Sequence, residues 1–245
     1  FKQKTAYEIY QCDWSSDVCS SDLYEFNPFF SALHNFCAVD LSAFYFDIRK
    51  DALYCDRADS PRRRATRSTM ATVFDCIVRW LAPVLCFTAE EAWLNRAGAV
   101  ADDPSESVHL RVFPAVPASW RDDALASKWE VIRDIRRVVT GALELERAAK
   151  RIGASLQAAP TVYLTSAQMS ALNGLDAAEI AITSGVKLTV GDGPADAFRL
   201  SDVAGVAVVP ALAEGHRCER CWKVLPEVGS KGRPLCRRCD DAVAA

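Results

Sequence analysis

The chain has 245 residues, 50% of them hydrophobic and 25% charged, with a formal net charge of -3. That is enough for one large domain or two to three small ones. No apolar run approaches the roughly 20 residues of a membrane span, and no basic-then-apolar leader with a small-residue cleavage site opens the chain. No membrane partner is therefore expected. A near-neutral chain is not a globally basic polyanion binder, so any such role must rest on local patches.

Residues 1–23, FKQKTAYEIYQCDWSSDVCSSDL, show no convincing periodicity and join abruptly to a well-patterned helix. Phe1 to Ile9 and Cys12 to Leu23 back-translate, in order and in frame, to the two constant stretches of an indexed short-read sequencing adapter. We read them as a disordered artefact to be set aside before fold reasoning. On that reading Cys12 and Cys19 carry no ligand or redox role, and the true protein continues upstream of Tyr24.

From Asn27 to about Tyr54, Phe30, Leu33, Phe36, Cys37, Leu41, Phe44 and Tyr45 recur at helical steps. Asn27-Pro28 reads as an N-cap followed by a first-turn proline. Ser60-Pro61 opens a second helix in the same way. It carries Arg62, Arg63, Arg64 and Arg67 early, then an apolar face of Met70, Val73, Phe74, Ile77, Trp80 and Leu81, and Pro83 should end or kink it. Thr88-Ala89-Glu90-Glu91 reads as a cap with acids in the first turn of a short helix ending near Asn95. Residues 97–118 read as a loop. A long helix follows from about Trp120 to Lys150, with a stripe of Trp129, Ile132, Ile135, Arg136, Val139, Leu143 and Leu145.

After Gly153 the period changes. Thr161–Leu164, Glu179–Ile182, Val186–Val190 and Val206–Val209 read as strands, and residues 166–174 as a short helix. No long-period repeat is present. The expected architecture is mainly α: a helical bundle over 24–153, a small α+β subdomain over 154–212 and a four-cysteine finger over 213–245.

Ten cysteines is a high count, and Cys37, Cys55, Cys76 and Cys86 are scattered through apolar or helical sequence. Cys218-x-x-Cys221, fourteen residues, then Cys236-x-x-Cys239 is the strongest chemical signal in the chain. Each turn brings two thiolates to one side of a tight loop, and two turns complete a tetrahedron around one metal. With no leader, the reducing cytoplasm is the expected compartment, which favours a metal over disulfides. One structural Zn2+ is expected; an iron centre and two disulfides are the alternatives. His216 precedes the first cysteine but is not needed once four thiolates are in place. Gly229, Gly232 and Pro234 suit the turn between the pairs. So small a block cannot bury much of a core, so the metal would supply most of its folding free energy.

Around the metal, Arg217, Arg220, Lys223, Lys231, Arg233, Arg237 and Arg238 face only Glu219 and Glu227. This is a plausible phosphate-contacting patch. Trp222 follows a ligand cysteine on a block too small to bury it. An indole beside guanidinium groups suits stacking on unpaired RNA bases. The alternative is that Trp222 packs over the knuckle and the charges are merely solvated. On charge alone, Arg62, Arg63, Arg64 and Arg67 are further candidates for contacting RNA, the alternative being a plain solvated helix face.

Three stretches carry a family resemblance covering about 24–245. Asn35-Phe36-Cys37-Ala38-Val39-Asp40-Leu41-Ser42-Ala43-Phe44-Tyr45-Phe46-Asp47-Ile48-Arg49-Lys50-Asp51 resembles the opening helix of the anticodon-binding domain of isoleucyl-tRNA synthetases. Arg79 to Trp93, through Ala82-Pro83-Val84-Leu85-Cys86-Phe87-Thr88-Ala89-Glu90-Glu91, resembles the Pro-kinked helix pair of the isoleucyl, valyl, leucyl and methionyl class I enzymes. Cys218-Glu219-Arg220-Cys221-Trp222 with Cys236-Arg237-Arg238-Cys239 is similar to the C-terminal zinc finger of the bacterial isoleucine enzymes. The resemblance implies a monomeric, tRNA(Ile)-binding C-terminal region: helices on the anticodon stem, the knuckle at the loop, and Arg220 and Trp222 near the anticodon. The parent enzyme would be a ligase attaching isoleucine to tRNA(Ile) with ATP and Mg2+. Its His-Ile-Gly-His and Lys-Met-Ser-Lys-Ser signatures and its editing domain do not occur here, so no catalytic residue is expected in this chain. Rival readings are a stand-alone zinc-ribbon nucleic-acid module, a DNA glycosylase tail, or the valine or leucine enzyme.

Overall fold

A computed structural model describes residues 26–96, 98, 103–229, 232 and 234–244. The adapter-like stretch, with Cys12 and Cys19, and the basic residues Lys231 and Arg233 lie outside the described residues. The described residues form two compact units, one drawn from 26–36 and 64–122, the other from 37–63 and 123–244. No helix among the described residues is long and apolar enough to cross a membrane.

The elements begin with α1 (Phe26–Asn35), a π-wound segment (Phe36–Phe46) and α2 (Asp47–Cys55). Helix α1 is already formed at Asn27, so the expected Asn27 cap is not where the helix begins. The π winding, rare outside short bulges, brings residues five and four apart onto one face, and Leu41 and Tyr45 are both buried. Helix α3 (Pro61–Leu81) starts at its proline, as expected of a residue with no N–H to lose. It ends before Pro83. Helix α4 (Cys86–Leu94) is capped by Leu85, three residues before Thr88, and has no side-chain cap bond. Glu90 instead turns outward from the helix start and accepts bonds from the Val108 N–H at 2.8 Å and the Ser107 hydroxyl at 3.1 Å. That ties the following loop, which makes single 3-10 turns at 104–106, 108–110 and 118–120, to α4. Val78, Ala82, Ala89, Trp93 and Val108 form the core there.

In the second unit, α5 (Asp123–Ala148) is the spine. Trp129, Ile132, Ile135, Val138, Val139, Ala142 and Leu143 are buried along one stripe. Leu145 is not part of it and is exposed. Phe44 meets Trp129 edge-on, ring centroids 6.1 Å apart. Strand β1 (Thr161–Leu164) pairs in parallel with β2 (Lys187–Val190) and antiparallel with β3 (Val206–Val209), giving the order β2-β1-β3. Between β1 and β2 lie α6 (Ser166–Ala171) and α7 (Ala177–Ala181). Thr165 and Gln168 cap α6 reciprocally. The stretch Glu179–Ile182 is therefore helical, not the strand its apolar alternation suggested. Asp176 accepts from the N–H groups of Ala178 and Glu179 at 2.9 and 3.1 Å, which starts a helix, and Ile182 ends it in the left-handed region. Gly141 in α5 leaves room for Phe198: a Cβ there would lie 3.0 Å from that ring.

The chain ends in a short antiparallel hairpin, β4 (His216–Arg217) and β5 (Val224–Leu225), followed by α8 (Arg237–Val243). The preceding Gly215, at φ +109°, lets the backbones meet: a Cβ would sit 2.2 Å from the Leu225 carbonyl oxygen.

Candidate functional site

The first cysteine pair is the turn of the β4–β5 hairpin. The Cys218 N–H donates to the Lys223 carbonyl and the Trp222 N–H donates to the Cys218 carbonyl, both at 2.9 Å. The second pair starts α8, with Cys236 at its N-cap position and Cys239 in its first turn. All four are buried, and their sulfurs lie within 4.8 Å of one another. They are the one such group of potential metal ligands among the described residues. His216 is not in it; it is exposed on β4. The Cys221 and Cys236 sulfurs are 3.8 Å apart. A regular tetrahedron with metal–sulfur bonds of ~2.3 Å has edges of ~3.8 Å. The four cysteines are thus positioned to hold one metal ion and leave no open coordination position.

The thiols differ in acidity. Burial pushes the Cys218 thiol up, but N–H groups of Cys221, Cys236 and Arg220 outweigh it and draw it down to about 6. The Cys236 N–H lies 3.4 Å from its sulfur. Burial raises Cys221 and Cys236, and takes Cys239 to about 11. Cys218 is therefore the thiolate already formed near neutral pH, the first to offer a charge to a cation.

A fifth cysteine borders the cluster. Cys55, at the end of α2, is buried in the same small core as the four ligands, Val228, Leu225 and Leu235. Burial raises its thiol to about 11. No spacing in the sequence connects it with residues more than 160 positions away.

The basic residues singled out from the sequence have different fates. Arg220 turns inward: its guanidinium donates to the Tyr54 carbonyl at 2.9 Å and to the Cys55 carbonyl. Arg238 forms a two-pronged pair with Asp51, Nη2 to Oδ1 at 2.7 Å, and reaches Asp56 at 3.4 Å. Arg62 donates to both Asp56 oxygens at 2.8 and 2.7 Å and to Glu179 at 2.9 Å. Arg49 donates to Glu179 at 2.7 Å, and Arg63 donates to the Asp56 carbonyl at 3.0 Å. Arg64 and Arg67 are exposed, in the first unit. Trp222 is 62% exposed and has φ +64°, so its indole stands off the knuckle on a left-handed residue. The carboxylates Asp51, Asp56 and Glu179, which hold the arginines, carry no local sequence signal: Arg238 and Asp51 are 187 residues apart.

Comparison with known proteins gives a family match and several similar relatives. The profile of the anticodon-binding domain of tRNA ligases matches residues 20–162. An isoleucine–tRNA ligase from Agrobacterium fabrum is 54% identical over 210 residues, 85% of this chain and 21% of that protein. Isoleucine–tRNA ligases from Brucella abortus (53%, 85% and 21%) and Rhodopseudomonas palustris (51%, 84% and 21%) are similar to the same extent. The chain spans about a fifth of the length of the curated relatives it matches.

Proposed function

The chain belongs to the anticodon-binding domain family of tRNA ligases, and on that footing we propose that it is the tRNA(Ile)-recognising region of an isoleucine–tRNA ligase. The parent enzyme would join isoleucine to tRNA(Ile) with ATP and Mg2+ in the cytoplasm. This region would grip the anticodon stem and loop as a monomer, without catalytic residues of its own. The observation that carries the reading is the 54% identity to an isoleucine–tRNA ligase in a chain that also holds four converging cysteines beside an exposed indole.

We assign the metal as zinc. Four buried cysteine sulfurs within 4.8 Å of one another are the donor set of a closed structural zinc site. Bound zinc would supply folding free energy to a segment whose own core is mostly the ligands themselves. Cys218, Cys221, Cys236 and Cys239 hold it. Trp222 would stack on the RNA, and Arg64 and Arg67 would meet the phosphates. Arg62, Arg63 and Arg220 also donate to protein acceptors; any contact they make with the RNA would be combined with holding these elements in place, Arg220 near the anticodon as the resemblance implies.

The test is binding of the zinc-loaded chain to tRNA(Ile) and to a non-cognate tRNA of the same length, across a salt series. Tighter binding to tRNA(Ile), weakening with salt because phosphates are neutralised, is expected, with one zinc per chain and no aminoacylation. Equal weak affinity for every RNA would remove the anticodon-reading role.

A further inference from the structure

Five sulfurs, not four, meet around the knuckle. Cys55 of α2 shares one small core with Cys218, Cys221, Cys236 and Cys239, and the group positioned to hold a metal is the last four. Cys55 is fastened to the first ligand turn. Its S–H donates weakly to the Arg220 carbonyl at 3.9 Å. The Arg220 guanidinium in turn donates to the carbonyls of Cys55 and, at 2.9 Å, of Tyr54. Arg220 thereby ties the end of α2 to the loop that carries Trp222, and the next residue in the chain is the ligand Cys221. The spare sulfur is thus held against the backbone that joins a metal ligand.

The five are not equally covered. A cleft of about 470 Å³ opens between α2 and the knuckle, and Cys55 and Cys221 line it while Cys218, Cys236 and Cys239 do not. Exposure follows the same division: 6% and 7% for Cys55 and Cys221, against 0%, 2% and 0% for the other three. A reagent entering by the cleft meets these two sulfurs first. So slight an opening shields them from a bulky alkylating reagent but not from hydrogen peroxide, which is scarcely larger than water.

The two sulfurs differ in what they can do. A ligand cysteine is a thiolate, the nucleophilic form, whereas Cys55 keeps its proton and no metal engages it. We propose that Cys55 and Cys221 form a peroxide-sensitive pair that opens the knuckle through a reversible disulfide. The Cys221 thiolate attacks one peroxide oxygen; an S–O bond forms, the O–O bond breaks and hydroxide leaves, so sulfur is oxidised and the peroxide reduced. The Cys55 sulfur then attacks the sulfenic sulfur. An S–S bond forms, the S–O bond breaks, and the Cys55 proton leaves with that oxygen as water. With Cys221 withdrawn, three ligands remain and the metal is released. Cys55 is the one thiol of the five that is free to respond while the other three ligands are still engaged. Its response stops oxidation at a disulfide, short of the irreversible sulfinic acid. The proposal rests on the metal reading above and adds Cys55 to it.

The experiment treats the full zinc-loaded chain, in dilute solution, with hydrogen peroxide. A chromogenic chelator follows released zinc, and peptide mass spectrometry locates each disulfide. A Cys55–Cys221 disulfide appearing in step with zinc loss is expected, and dithiothreitol followed by fresh zinc should restore the bound metal. Cys55→Ser, close in size and without a sulfur, should bind zinc as the parent does. After the same peroxide it should lose the capacity for restoration, because Cys221 goes on to sulfinic acid. Zinc retained with both sulfurs unoxidised overturns the pair, as does Cys221 joined to Cys218 or Cys236 while Cys55 stays a thiol. That map is made on the unmutated chain, so it decides the matter even if Cys55→Ser folds poorly. A Cys55→Ser chain that regains its zinc as fully as the parent overturns the pair too. These results leave the metal reading intact; a chain that takes up no zinc at the outset overturns both.

Discussion

Trp222 sits in the left-handed region at φ +64°, where a side chain costs about 1–2 kcal/mol relative to ordinary backbone. The turn that lets Cys218 and Cys221 face one point demands that conformation, and glycine would meet it more cheaply. A tryptophan there is a stability cost borne for something outside the fold. Trp222→Gly should therefore be more stable than Trp222→Ala, by about 1 kcal/mol in thermal melts of the metal-loaded chain. Both should lose RNA affinity alike. A glycine variant no more stable than the alanine one would mean the backbone is not strained and the indole is kept for packing. Cys218 makes a second case at the same scale. Its thiol, drawn to about 6 by backbone N–H groups against the opposing effect of burial, is already largely ionised at neutral pH. Metal uptake at pH 7 should then release roughly three protons from the four thiols, counted by titration calorimetry in buffers of different ionisation heat. Affinity should fall about a thousandfold per pH unit just below neutrality, and more steeply still below about 6, when Cys218 takes up its proton too. Release of four protons at pH 7 would show that the N–H groups do not hold a thiolate.

The elements of the second unit are joined by charge as well as by apolar packing. Asp51 on α2 meets Arg238 of α8, Asp56 meets Arg62 of α3, and Glu179 of α7 meets both Arg49 and Arg62. Asp56 and Glu179 are nearly buried, so losing a partner leaves a charge without compensation, which is costly. Arg238→Met should destabilise the chain by about 2 kcal/mol, below the full buried-pair cost because the Arg238 side chain is about one-third exposed. Adding Asp51→Asn should recover part of the loss. Burial pushes Asp51 up, but the hydrogen bond and charge of Arg238, with Lys223 and Arg62, outweigh it and leave its carboxyl below the usual range. A depressed carboxyl stabilises the fold above its unfolded value near ~3.9 and loses that contribution as pH falls through the folded value. Denaturant midpoints of the parent should fall more steeply below about pH 4 than those of Arg238→Met; parallel curves would exclude this pair as a source of acid sensitivity. Sequence periodicity reveals the elements these charges join better than the joins themselves. The long helix, α3 with its proline start, three of the four strands and the two cysteine pairs are legible, because burial stripes and ligand spacing are local. Glu179–Ile182 is misread because a five-residue helix is too short to show a period, and only the Asp176 cap reveals it. The fate of Arg62, Arg220 and Arg238 is not legible, because their partners are brought near only by the fold.

At the scale of the whole molecule, two kinds of core stand side by side within the second unit. One is conventional: Trp129, Ile132, Val138 and Leu143 of α5 packed on Val162, Leu164 and Val208 of the sheet. It contains no prospective metal ligand. The other is almost wholly sulfur, Cys55 and the four ligand cysteines with Val228, and buries too little hydrocarbon to hold itself together. Chelation should therefore melt the segment around 213–244 and spare α5 and the sheet. Thiol alkylation followed by mass spectrometry reads this residue by residue. Among the cysteines of the described residues, Cys86, exposed at the start of α4, should react first in the metal-loaded chain. Cys218, Cys221, Cys236, Cys239 and Cys55 should stay protected, the last because burial covers it and raises its thiol to about 11. After chelation all five should become reactive together, while Cys76, buried in α3 of the other unit with a thiol also near 11, stays protected. Ellipticity should fall only by the small share that α8 contributes. If Cys76 became reactive with the others, the metal would be holding the entire chain and not its terminal segment. If Cys55 alone stayed protected, the end of α2 would be held by Arg62 and the apolar core without help from the knuckle, and Arg220 would lose its role as the link between Tyr54 and Trp222.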